Sequence, residues 1–117
     1  MEATSLIPLN PRDYLVLFSL TGDDLHGYGI VKEIERQSGG SVRVDPANLY
    51  RSIKRMISNG LVEDAGRRED EASSERRRYY RITELGRDVV KLEAARLAEL
   101  TEAARQRQLL PETGPTG

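Results

Sequence analysis

The chain has 117 residues, 38% of them hydrophobic and 32% charged, with a formal net charge of −1, a length that suits one small domain able to fold unaided. The absence of cysteine excludes disulfides and thiolate metal sites. No apolar run approaches the ~20 residues needed to span a bilayer, and the N-terminus lacks the basic start and apolar stretch of a secretory signal, so a cytoplasmic protein is expected.

Residues 1–10 show no periodicity and carry Pro8, which predicts a loose N-terminal arm. Pro11 can open a first helix, since its missing N–H is not needed there, and Tyr14, Leu15, Leu17, Phe18 and Leu20 give that helix an apolar stripe. Thr21-Gly22-Asp23-Asp24 breaks it. A second helix is predicted over 26–38, with Ile30, Val31 and Ile34 on one face and Gly39-Gly40 as its stop.

After an extended stretch, Asp45 is a good N-cap and Pro46 a good first helical residue. The third helix is expected to bury Leu49, Ile53, Met56 and Ile57 and to end at Asn59-Gly60. Its outer face then carries Asn48, Arg51, Lys54 and Arg55. Residues 61–65 read as a strand and 77–82 as its partner, with 66–76 as a polar hairpin loop. Alternation puts Tyr80 and Ile82 on one face and Arg77, Tyr79 and Arg81 on the other.

Thr83 caps a long final helix reaching about residue 108. Leu85, Val89 and Leu92 suit packing against the body of the domain, while Val90, Leu97, Leu100 and Ala104 fall close to heptad spacing. The second seam predicts a dimer interface; the alternative is a single helix lying back over the domain. The expected class is mainly α with a small β-hairpin, a winged helix-turn-helix plus a long C-terminal dimerisation helix. Its divisions are an arm (1–10), a DNA-binding domain (11–83), the dimerisation helix (84–108) and a disordered tail (109–117).

Charge is unevenly spread. Residues 1–42 hold three Lys/Arg against six Asp/Glu, residues 43–81 ten against seven, and the remainder five against six. The positive excess coincides with the third helix and the hairpin, and local field rather than total charge steers a polyanion.

Particular residues carry a resemblance. His26-Gly27-Tyr28, then Asp45-Pro46-Ala47-Asn48-Leu49-Tyr50, Lys54-Arg55-Met56, Gly60-Leu61-Val62 and Arg78-Tyr79-Tyr80-Arg81-Ile82-Thr83 followed by Gly86 together resemble the PadR family of bacterial transcriptional regulators. The match runs over about residues 12–95 in constant order. The resemblance implies a homodimeric repressor of the compact branch with a single C-terminal helix, bound to an inverted-repeat operator in double-stranded DNA and released by a small-molecule effector. It also suggests a phosphate hydrogen bond from Tyr50. Gly29 stands where the family more often has a helix-favouring residue, and the wing tip, Glu69-Asp70-Glu71, is acidic.

A recognition helix exposes base-reading side chains over its first turns. Asn48 and Arg51 lie one turn apart there; Asn can pair bidentately with adenine and Arg with guanine, while Lys54 and Arg55 continue toward phosphates. Arg76, Arg77 and Arg78 either reach phosphate or the minor groove or neutralise Glu69, Asp70, Glu71 and Glu75 within the hairpin. His26, the single histidine, is expected to cap or orient the second helix, with no metal, cofactor or catalytic role. Tyr28, Tyr79 and Tyr80 are expected in packing. Leu110-Pro111-Glu112-Thr113-Gly114 resembles a sortase recognition pentapeptide without the apolar span that such a signal needs, so chance or an appended tag accounts for it. The predicted function is a sequence-specific DNA-binding regulator; the alternative is a winged-helix protein–protein interaction module that does not bind DNA.

Overall fold

The computed structural model describes residues 2–70 and 75–111. A 3-10 turn, Ala3–Leu6, leads into α1 (Pro11–Leu20), a two-residue strand β1 (Leu25–His26), α2 (Gly27–Gln37) and α3 (Pro46–Ser58). Strands β2 (Val62–Glu69) and β3 (Arg76–Ile82) follow, and α4 (Glu84–Gln106) closes the chain. Glu71 of the predicted wing tip and residues 112–114 of the pentapeptide lie outside the described residues.

Each main helix starts on a side-chain cap. Asn10 Oδ1 accepts from the Asp13 N–H at 2.8 Å, Asp45 from Ala47 and Thr83 Oγ1 from Gly86 at 3.0 Å; such caps contribute about 1 kcal/mol each. Gly60 ends α3 at φ 78°, a conformation costly for residues with a Cβ. The Leu61 N–H then returns to the Met56 carbonyl at 2.9 Å, closing the helix in a Schellman-type turn.

The core draws Val16, Leu17 and Leu20 from α1, Ile30 and Ile34 from α2, Leu49, Ile53 and Met56 from α3, Tyr80 and Ile82 from β3, and Val89 and Val90 from α4. Two expectations change here. Ile57 is 40% exposed because the buried face of α3 runs through Leu49, Ser52, Ile53 and Met56 and leaves Ile57 at its edge. Val90, expected at the dimer seam, is buried in the chain's own core, because α4 turns both Val89 and Val90 inward over the domain.

The sheet is also larger than the predicted hairpin. It has three antiparallel strands in the order β1-β3-β2, with Leu25 opposite Tyr80 and His26 opposite Tyr79. Strand β2 extends past residue 65 by absorbing a bulge between Asp64 and Arg67, after which Arg67 faces Arg78 and Glu69 faces Arg76. Gly66 makes the bulge at φ 89°, and its N–H donates to Asp64 Oδ1 at 2.7 Å.

The N-terminal arm is not loose. Ala3, Leu6, Ile7 and Leu9 pack against the core. The Leu9 N–H donates to Glu93 Oε2 at 2.8 Å, and Glu93, on α4, is 1% exposed. Arg96 completes that anchor with a bidentate pair at 2.6 and 2.8 Å, and its guanidinium holds the Glu93 carboxyl below the usual carboxylate range.

Candidate nucleic-acid interface

Helix α3 presents two faces with different chemistry. Leu49, Ser52, Ile53 and Met56 are buried, while Tyr50, Arg51, Lys54 and Arg55 are exposed and Asn48 is half-buried. Arg51 Nη2 donates to Asn48 Oδ1, which steadies the guanidinium over the first turns of the helix. Neither Arg51 nor Lys54 makes an ion pair among the described residues. Arg55 is placed differently: its Nη2 contacts both carboxylate oxygens of Asp13, at 2.8 and 2.6 Å. Asp13 is buried on α1, so Arg55 ties α3 to α1.

Tyr50 reaches from α3 toward the start of α2. A Cβ on Gly27 would stand 2.8 Å from the Tyr50 hydroxyl oxygen, so the glycine of His26-Gly27-Tyr28 makes room for the ring. Tyr28, Val31, Val44, Pro46, Leu49 and Tyr50 border a groove of about 320 Å³ between the two helices. Tyr28 is 56% exposed, not packed inside, with Lys32 Nζ 5.3 Å and the Arg77 guanidinium 5.5 Å from its ring centre.

The wing divides its arginines. Arg77 lies 3.3 Å from Asp70 and 3.3 Å from Glu75, and Arg78 pairs with Asp64 across the hairpin. Arg76 is exposed and donates to the Arg67 carbonyl at 3.5 Å. Arg68 and Arg81, one from each strand, both grip Asp24, at 2.6 and 2.9 Å. These two bonds hold the Asp24 carboxyl below its ordinary range and anchor the wing to the turn after α1.

Two features escaped the sequence. The sequence places Arg67 and Arg68 in a loop, yet they stand on β2 beside the returning arginines; Gly66, which reads as a turn, conceals the strand's continuation. His26 does cap α2, its Nδ1 accepting from the Gly29 N–H at 3.0 Å. Its other nitrogen, Nε2, is 3.4 Å from Asp70 at the wing, a contact that no local pattern announces.

The ordered set is thus a helix with Asn48, Arg51 and Lys54 on its outer face, none of them paired with a carboxylate among the described residues, flanked by a two-stranded wing rich in arginine. Residues 16–92 match the model of the transcriptional regulator PadR-like family. The chain belongs to that family. As a PadR-like chain it is mainly helical, with a small antiparallel sheet forming the wing.

Among its relatives is an uncharacterised 37.1 kDa protein in transposon TN4556 of Streptomyces fradiae, 34% identical over 95 residues. That alignment takes in 79% of this chain and 24% of the relative, so the chain spans about a quarter of that protein. A transcriptional regulator from Clostridium thermocellum superposes with a TM-score of 0.67 at 28% identity, covering 82% of this chain and 87% of that one. Bacillus subtilis PadR in complex with operator DNA superposes at 0.58 with 14% identity, over 94% of this chain and 53% of that one, a likeness of fold. Among the described residues no group of acidic or histidine side chains is set to hold a metal, and no helix is long and apolar enough to cross a membrane.

Proposed function

We propose that the chain acts in the cytoplasm as a homodimeric, sequence-specific repressor. Each α3 enters a major groove of an inverted-repeat operator, and two copies reach successive grooves about 34–36 Å apart. Asn48 and Arg51 read base edges, Tyr50 and Lys54 bind phosphates, and Arg76 with Arg67 meets the backbone from the wing. Arg77 and Arg78 serve chiefly to balance the hairpin's carboxylates, and Arg55 supports α3 through Asp13. Dimerisation runs through Leu97, Leu100 and Ala104 on the outer part of α4, and a small-molecule effector releases the operator by altering the spacing of the two subunits.

The observation that carries this reading is the contrast along α3. Arg55 is committed to a buried carboxylate, whereas Arg51 and Lys54 project from the same helix without one. Membership of a family of transcriptional regulators supports it, as does the fold shared with a PadR captured on operator DNA. A second reading, an interaction module without DNA binding, draws on the commitment of Arg68, Arg77, Arg78 and Arg81 to carboxylates. Arg51→Ala separates the two in a fluorescence-anisotropy titration. Operator affinity should fall by about 1–3 kcal/mol with relaxed preference at one base position. A uniform loss across sequences would make Arg51 a phosphate contact, and no measurable affinity in the unaltered protein would favour the interaction module.

A further inference from the structure

Among the described residues, the least exposed polar side-chain contact between the wing and the helical body joins His26 to Asp70. Arg68 and Arg81 grip Asp24 with side chains 42% and 51% exposed, whereas those of His26 and Asp70 are 13% and 14% exposed. Screening by water weakens the first two far more than the third.

A single neutral imidazole serves both ends of that contact. Its Nδ1 accepts from the Gly29 N–H, which puts the ring proton on Nε2, and Nε2 faces Asp70 Oδ2 at 3.4 Å. The Tyr79 ring meets the imidazole edge-on at 5.2 Å, and Tyr28 stacks on it at 6.4 Å. Arg77 approaches Asp70 from the other strand at 3.3 Å and then lies over Tyr28. His26, Asp70, Arg77 and Tyr28 therefore close a loop of contacts between the first turn of α2 and both strands of the wing.

We propose that His26 is a positioning residue that latches the wing tip to the start of α2 and so sets the distance between the wing's free arginines and α3. This rests on the DNA-binding reading, because the latch matters for function only if wing and α3 meet one duplex. The cap, in turn, requires the neutral ring, because a proton on Nδ1 would confront the Gly29 N–H. The titratable and charged groups that line the two clefts beside the ring are Arg68, Glu69, Asp70, Glu75, Arg77, Arg78 and Tyr79 from the wing, Tyr28 from α2, Tyr50 from α3, and Asp23 and Asp24 from the preceding turn. Burial and Arg77 push the imidazole below its ordinary value, against the opposing pull of Asp70.

The test uses the full chain and two substitutions. His26→Asn keeps a capping oxygen for Gly29 and is too short to reach Asp70; Asp70→Asn alters the same contact from the wing and leaves the cap alone. In amide exchange of the free protein, both should speed exchange about tenfold at the Asp70 amide and along Arg76–Arg78, with the first turn of α2 unchanged. In anisotropy titrations with a duplex enriched from a random library, His26→Asn should weaken binding about tenfold with base preference preserved.

Wing exchange equal to that of the unaltered protein in both variants would overturn the latch. A loosened wing with undiminished affinity would overturn its role in binding. If no duplex were enriched at all, the DNA-binding reading would fall, and the exchange measurement would still decide whether His26 holds the wing.

Discussion

Asp13 and Asn48 give the arginines of α3 different fates. Asp13 is buried on α1 and receives Arg55 through both oxygens, so removing that arginine strands a desolvated carboxylate, at a cost of about 1–3 kcal/mol. Arg51 has a neutral partner at the surface, and its loss strands nothing. In thermal unfolding followed by circular dichroism, Arg55→Ala should lower the Tm by several degrees while Arg51→Ala leaves it within about a degree. Equal melting temperatures would return Arg55 to the DNA-reading face. Gly86 makes a sterner demand on its neighbours. A Cβ there would stand 2.2 Å from the Leu61 carbonyl oxygen and 2.7 Å from Ile82 Cγ1, where backbone cannot yield. Gly86→Ala should therefore cost about 3 kcal/mol or more through overpacking, read as a large fall in Tm; an unchanged Tm would show that α4 can shift away from β2.

Among the elements, those that carry their own stop and start signals were legible from the chain alone. Pro11, Asp45-Pro46, Thr83 and Asn59-Gly60 each state a helix boundary in local chemistry, and the structure places the helix ends where those residues stand, with the Asn10 cap added by the structure. Strand β1 was not legible because two residues cannot display a period of two; it exists only because β3 offers it an edge. The continuation of β2 was hidden by Gly66, which reads as a turn and serves as a bulge. The outer face of α3 was readable as a pattern of residues, but the tie from Arg55 to α1 spans 42 positions and left no periodic trace. The N-terminal segment depends likewise on a distant partner, Glu93. Its carboxyl is held below the ordinary value of 4.5, so its contribution is complete above that value and disappears as pH falls through the depressed one. Glu93→Gln should remove this acid-side loss of stability and speed amide exchange across residues 3–9. Unaltered exchange there would show that the apolar contacts of Leu6, Ile7 and Leu9 suffice to hold the segment.

At the scale of the whole molecule, α4 passes from inside to outside along its length. Val89, Val90 and Glu93 are buried, Leu97 and Ala104 are half-buried and Leu100 is 55% exposed. This leaves an apolar strip that the proposed dimer would bury, shorter than the heptad spacing predicts because Val90 belongs to the core. Changing Leu97 and Leu100 to glutamate should give monomers by light scattering; a persistent dimer would move the interface to α1, where Phe18 is 37% exposed. The central claim is that two such copies read a DNA sequence, and selection of bound duplexes from a randomised library at low and moderate salt tests it most directly. Enrichment of an inverted repeat whose half-sites lie about one helical turn apart, with affinity falling steeply as salt rises, is the predicted result. Weak binding that enriches no sequence would contradict it.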